Sequence, residues 1–208
     1  MKAIIRLKGG AGSGHFDHAG RPGLVGGSVS SGGSDMTLVK ARHIVDNLAK
    51  RFGMPNIDVV ESDAKWTAAH ISSGNRININ PRLIDNLREY PDDFALPVNQ
   101  SEIIIHEYGH IIHSELSFNP LYGHHKLGAN AALRNAADVS WGESLTSKLD
   151  GIARRDGMRL SEYATKNAEE YFAEAFVAYV RGKSWHDKIN PEVLTIFRDL
   201  DNMVETAP

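Results

Sequence analysis

Residues 99–118, NQSEIIIHEYGHIIHSELSF, form an isoleucine-rich run that carries two histidines four apart and ends at Asn119-Pro120. Asn99 followed three positions later by Glu102 resembles a capping box, and Pro120 cannot continue a helix. The pattern therefore predicts a helix of about four turns. On it His106 and His110 lie one turn apart on one face, where two imidazoles can converge on a single metal ion. Ile104, Ile105, Ile111 and Ile112 supply apolar anchorage. Glu107, one position further round, sits beside the pair, close enough to a water on such an ion to act as general base without being a ligand. Gly109 costs the helix roughly 1 kcal/mol against alanine; the absent side chain would let another backbone approach closely, and the cost points to a packed or functional position. A His-Glu-x-x-His match arises in roughly 3% of shuffled chains of this composition. The motif therefore needs a third ligand before it outweighs an amphipathic helix with hydrogen-bonded core histidines.

The rest of the chain narrows what surrounds this helix. With 208 residues, 41% of them hydrophobic, one core is expected rather than two. A formal net charge of −3 provides no broad electropositive surface, which argues against nucleic acid as a main partner. The chain has no cysteine, so disulfides and thiolate metal sites are excluded and any metal depends on His, Asp and Glu. The start MKAIIRLKGG falls short of a secretory apolar segment, and nothing later approaches the ~20 apolar residues of a membrane span. A soluble protein without a membrane partner is the expectation.

Residues 9–33 contain ten glycines and four serines, a composition that buries too little surface to offset its ordering entropy. Residues 1–35 are read as a flexible leader, residues 36–208 as the folded domain. No phosphate loop can be written through these glycines, and His15 and His18 are expected to be free in solvent. From Thr37 to Phe52 the spacing of Leu38, Ala41, Ile44, Val45 and Leu48 predicts a packing helix stopped by Gly53 and Pro55. NIDVVES, KWTAAHISS and NRININP read as three strands, with Ile77 and Ile79 alternating with Asn as on a strand with one buried face. PRLIDNLREYP reads as a short helix. Residues 190–205 space Val193, Ile196, Phe197, Leu200 and Met203 for a closing amphipathic helix. His43, His70, His124 and His125 are expected to be core, surface or loop histidines rather than ligands.

His113 lies about two turns from His106, but one straight helix does not easily bring three histidines to one ion. It is expected to be structural or to support a ligand from behind. The metzincin pattern is excluded, because His113 and Leu116 stand where it has Gly and His. A second helix is predicted from about Asn167 to Arg181, stopped by Gly182, with Phe172, Ala175, Phe176 and Tyr179 as its buried stripe. Glu170 and Glu174 lie one turn apart on an adjacent face, where one carboxylate can ligate an ion while the other orients the site. The competing reading is that Glu169 and Glu170 merely favour the positive helix N-terminus. Glu143 and Asp138 are weaker third-ligand candidates.

The segment YATKNAEEYFAEAF resembles the corresponding stretch of the anthrax lethal factor catalytic-domain family of zinc peptidases, the ATLF-like domains. There an HExxH helix is followed by a Tyr and then by a Glu within a Glu-aromatic-aromatic-Ala-Glu-Ala-Phe helix. The resemblance covers residues 103–117 and 163–178. It implies His106, His110 and Glu170 as ligands of one Zn2+ per chain, Glu107 as catalytic base and Tyr163 as oxyanion stabiliser. Glu174 is then placed behind a ligand. Ala164-Thr165-Lys166 departs from the family pattern, and Glu169 is the alternative to Glu170. The implied fold is α+β and zincin-like, a small mixed sheet packed on helices, and the implied activity is a zinc metalloendopeptidase acting on a peptide or protein substrate.

A peptide would pair with an exposed sheet edge, and NRININ is the candidate edge strand. GSGHFDHAGRPGLVGGS resembles a Gly-rich segment of head-associated proteins of tailed bacteriophages. It implies association with a phage particle through residues 9–33, and a location in a bacterial host cytoplasm or on a virion. The alternative function is a catalytically silent zinc-binding domain in the assembly of such a particle. A zinc hydrolase acting on a non-protein amide is a third reading.

Overall fold

The computed structural model describes residues 4–6, 37–53, 57–63, 67–72, 75–85, 95–97, 99–118 and 141–205, with side chains omitted at some element ends. The Gly-rich stretch 9–33, His15, His18, His124, His125 and Asp138 lie outside these residues, as does the side chain of Glu143. The elements in chain order are β1 (Ile4–Arg6), α1 (Leu38–Phe52), β2 (Asp58–Glu61), β3 (Thr67–Ser72), β4 (Arg76–Ile79) and α2 (Pro81–Asp85). They continue with α3 (Gln100–Phe118), α4 (Trp141–Asp156), α5 (Ala168–Arg181) and α6 (Pro191–Glu205). Short 3₁₀ turns at Gly157–Arg159, Tyr163–Thr165 and Lys183–Lys188 join the later helices. The architecture is α+β, rich in helix with a small mixed sheet.

The three predicted strands form the body of that sheet. β4 runs antiparallel to β3, with Ile71 opposite Ile77, and parallel to β2, with Val59 opposite Ile77. β1 adds to the other side of β3, with Ile5 opposite Ala69. Ile77 and Ile79 are buried, as their alternation with Asn predicts. One expectation is overturned: NRININ is not an edge, because β4 lies between β3 and β2 in the order β1-β3-β4-β2. Alternation reports which face of a strand is buried and says nothing about which of its sides is paired. The Asn78 side chain instead bonds across to Ser72 Oγ at 2.9 Å.

Helices cover the sheet and one another. α1 is capped by Thr37, whose side chain accepts from the Lys40 amide at 3.3 Å, and packs on β2 and α3. α3 packs against β3, β4 and α5, and α6 closes on α1 and α5. α5 is buried along nearly its whole length rather than along one stripe, with Ala168 and every residue from Glu170 to Tyr179 inside. A helix surrounded on all sides is apolar all round except where a polar group has a task, and α5 brings Glu170 and Glu174 into that interior.

The α3–α5 crossing explains Gly109. A Cβ there would stand 2.9 Å from Ala173 Cα and 3.2 Å from Phe176 Cβ, so the bare backbone of α3 lets the backbone of α5 pass beside it. Aromatic packing fixes the same crossing, with Tyr108 stacked on Phe176 at 5.9 Å and Phe176 edge-on to Phe197 at 5.4 Å.

Candidate metal centre

Three buried groups meet where α3 crosses α5. Nε2 of His106 is 3.1 Å from Nε2 of His110 and 3.2 Å from Oε2 of Glu170, and His110 Nε2 is 3.4 Å from the same oxygen. Ligand atoms held at 2.0–2.1 Å by one tetrahedral ion stand roughly 3.3–3.4 Å apart, so this triangle is the size that zinc coordination requires. His106, His110 and Glu170 form a group that can hold a metal ion. Glu169, half-buried beside it, is not a member.

Local structure delivers each ligand. The i, i+4 spacing puts both imidazoles on the α5 side of α3. Asn167 caps α5 by accepting from the Glu170 amide at 2.9 Å, and Asp150 on α4 accepts from the Ala168 amide at 2.8 Å. Glu170 is thereby anchored in the first turn of its helix.

Two of the three groups, His106 and Glu170, are supported from behind. Glu174 Oε1 makes an ion-pair contact with His106 Nδ1 at 3.1 Å. Its other oxygen accepts from the Leu96 amide at 2.6 Å and from Ser161 Oγ at 2.8 Å. A carboxylate on Nδ1 keeps a proton there and leaves Nε2 free to bind an ion. Tyr163, fully buried, donates its hydroxyl to Glu170 Oε1 at 3.1 Å, so the two oxygens of Glu170 divide between Tyr163 and the histidines. His113 lies apart from the triangle. It is buried against Phe172 with ring centroids 5.4 Å apart, and burial together with the charge of His110 lowers its pKa to about 4. It serves as a neutral packing residue.

The electrostatics call for a cation. Burial disfavours a charged His106, yet its bonds to Glu170 and Glu174 outweigh that and raise its pKa to about 10. Burial also opposes ionisation of Glu170, but His110 and His106 together hold its carboxyl far below the usual range. Burial pushes the Tyr163 hydroxyl well above 10, with the charge of Glu170 adding to it. Positive charge at the triangle, whether a proton or a metal, is what the two glutamates select.

Glu107 differs from both of them. It is fully buried, and no side chain among the described residues hydrogen-bonds to either of its oxygens. Burial raises its pKa to about 7, against the pull of His110, His106 and the main-chain amide of Ile71 on β3. It stands one position round α3 from the ligands, as the motif predicts.

Sequence reasoning missed Ser161, Leu96 and the Arg181–Glu102 pair. Arg181 reaches Glu102 Oε1 at 2.7 Å and Oε2 at 2.8 Å and also donates to the Leu96 carbonyl, tying the 95–97 segment to α3 and α5. No local signal marks Leu96 or the Arg181–Glu102 pair, because their partners lie 78–85 positions away, and Ser161 meets Glu174 13 positions on, across the turn into the next helix. His43 is on the exposed face of α1 beside Asn47, and His70 is on β3; neither is in the metal group. Among the described residues no helix is long and apolar enough to cross a membrane. No family model, curated protein or solved structure matches the chain.

Proposed function

We propose that the protein is a zinc-dependent metalloendopeptidase of the zincin style, with one Zn2+ per chain held by His106, His110 and Glu170. The observation that carries this reading is Glu107, a fully buried carboxyl with no side-chain hydrogen-bond partner among the described residues, beside the two imidazoles His106 and His110. A purely structural site requires no such group, whereas a hydrolase requires a base at this position. When bound, zinc supplies Lewis acidity and lowers the pKa of a coordinated water toward ~7.

The chain's own groups divide the remaining work. Glu107 accepts a proton from the attacking water and returns it to the leaving amine, a task suited to a carboxyl whose pKa is already shifted toward neutrality. Glu174 holds His106 by Nδ1. Tyr163 holds a hydroxyl proton at Glu170 and can offer it to the oxygen of a substrate carbonyl, where negative charge develops. The Ile71 amide beside Glu107 makes β3, itself an interior strand, the one next to the reacting centre.

The test is a diverse peptide library digested with zinc-loaded wild type, Glu107→Gln and Tyr163→Phe and read by mass spectrometry. Wild type cleaves. Glu107→Gln keeps its zinc and slows by roughly 10²–10⁴-fold. Tyr163→Phe binds substrate but turns over slowly. Cleavage by Glu107→Gln at the wild-type rate would refute the assignment of the base.

The burial of all three ligands, at 0% for His106, 2% for His110 and 6% for Glu170, favours a second reading: a silent zinc domain in the assembly of a larger particle. That reading predicts zinc without cleavage. The resemblance of residues 12–28 to a Gly-rich segment of phage head-associated proteins is compatible with either function, as is a place on a virion or in a bacterial cytoplasm.

A further inference from the structure

We infer that Ser161 is a positioning residue of this centre, a single hydroxyl that fixes both the carboxylate behind His106 and the turn that carries Tyr163. The role rests on the metal-centre reading above. Ser161 is 3% exposed and belongs to the connection between α4 and α5. Its Oγ donates to Glu174 Oε2 at 2.8 Å and accepts from the Ala164 amide at 3.0 Å. A hydroxyl has one proton to give and lone pairs to spare, so both bonds form at once.

The backbone holds the hydroxyl in place. The Ser161 amide donates to the Gly157 carbonyl at 3.0 Å. A Cβ on Gly157 would stand 2.9 Å from both Ala164 O and Thr165 Cα, so only glycine lets the Tyr163–Thr165 turn fold back this closely. Ser161 is thus clamped between the turn it caps and the glutamate it orients.

Two parts of the centre are joined through it. With Oε2 of Glu174 engaged by Ser161 and Leu96, Oε1 is left facing His106 Nδ1 at 3.1 Å. With the Ala164 amide engaged, the turn presents the Tyr163 hydroxyl 3.1 Å from Glu170 Oε1. Removing the hydroxyl takes one donor from a buried carboxylate and leaves a main-chain amide without its acceptor. One substitution should therefore disturb a metal ligand and the Tyr163 hydroxyl together.

The experiment measures zinc affinity by competition with a chromophoric chelator in wild type, Ser161→Ala, Ser161→Thr and Leu200→Ala, each confirmed as folded. Leu200→Ala truncates a buried residue of α6 and serves as the control for destabilisation alone. Ser161→Ala is expected to bind zinc about 10–100-fold more weakly, Ser161→Thr to recover most of that loss, and Leu200→Ala to match wild type. At saturating zinc, Ser161→Ala should lower kcat more than it raises KM, and its effect should be non-additive with Tyr163→Phe. Zinc affinity of Ser161→Ala within about twofold of wild type, or an equal loss in Leu200→Ala, would overturn the role. Absence of zinc binding by wild type would instead sink the metal centre, and this role with it.

Discussion

Helices α3 and α5 meet at two polar contacts of opposite design. At one, the Arg181 guanidinium faces both oxygens of Glu102 at 2.7 and 2.8 Å and donates also to the Leu96 carbonyl. Cation and anion are both supplied by the chain, in the forked geometry that suits them. At the other, His106, His110 and Glu170 present ligand atoms to one another within 3.4 Å and supply no cation unless a histidine takes a proton. The first contact is complete and holds the fold. The second has no fixed cation of its own, so a proton on His106 or a metal ion can supply the charge, and Glu107 beside it adds a buried carboxyl with no side-chain hydrogen-bond partner among the described residues.

The difference can be broken by substitution, most severely at the complete contact. Arg181→Met strands Glu102, 12% exposed, and should cost about 3 kcal/mol in urea unfolding of the metal-free protein while leaving one zinc site per chain. A loss below about 1 kcal/mol would make the pair an ordinary surface contact and erase the comparison.

Glu107→Gln should act in the opposite direction. The folded-state pKa of Glu107 is raised from 4.5 to about 7, so the folded protein binds its proton more tightly than the unfolded chain does. Stability from this group is present below pH ~4.5 and is lost as pH rises through about 7. At pH 8 the metal-free Gln variant should therefore be more stable than wild type by on the order of 2–3 kcal/mol, with little difference at pH 4. Unfolding midpoints at the two pH values check the sign. A Gln variant less stable than wild type at pH 8 would mean that Glu107 is a structural residue.

Gly109→Ala should have the smallest effect, about 1–3 kcal/mol of destabilisation, because the added methyl presses on the Ala173 backbone. A gain in stability, as helix propensity alone predicts, would show that α3 and α5 separate easily.

What was legible in the sequence follows from the range of the interactions. Local patterns were readable: Asn99 caps α3 by accepting from the Glu102 amide at 3.0 Å, and α3, α5 and α6 start and stop within about a residue of their signals. The Glu102 carboxylate also meets Arg181, 79 residues away, a partner that no local pattern announces. Helix spacing favours Glu170 over Glu169, since only Glu170 has Glu174 one turn on, but leaves open whether these glutamates merely favour the helix N-terminus; the resemblance is what points to Glu170 as a ligand. Strand β1 and helix α4 carried no pattern strong enough to read, and the edge was assigned to the wrong strand because side-chain alternation is blind to strand order. Ser161 and Leu96 are invisible by the same logic, since their importance lies entirely in where Glu174 comes to rest.

The most direct test of the metal centre is calorimetric titration of metal-free protein with zinc at pH 7, run in two buffers of different ionisation enthalpy and repeated with Glu170→Gln. The account predicts one site per chain in wild type, with release of the proton that His106 otherwise keeps up to pH about 10, and a loss of affinity beyond 100-fold in Glu170→Gln. No saturable site in wild type, or equal affinity in the variant, would contradict it.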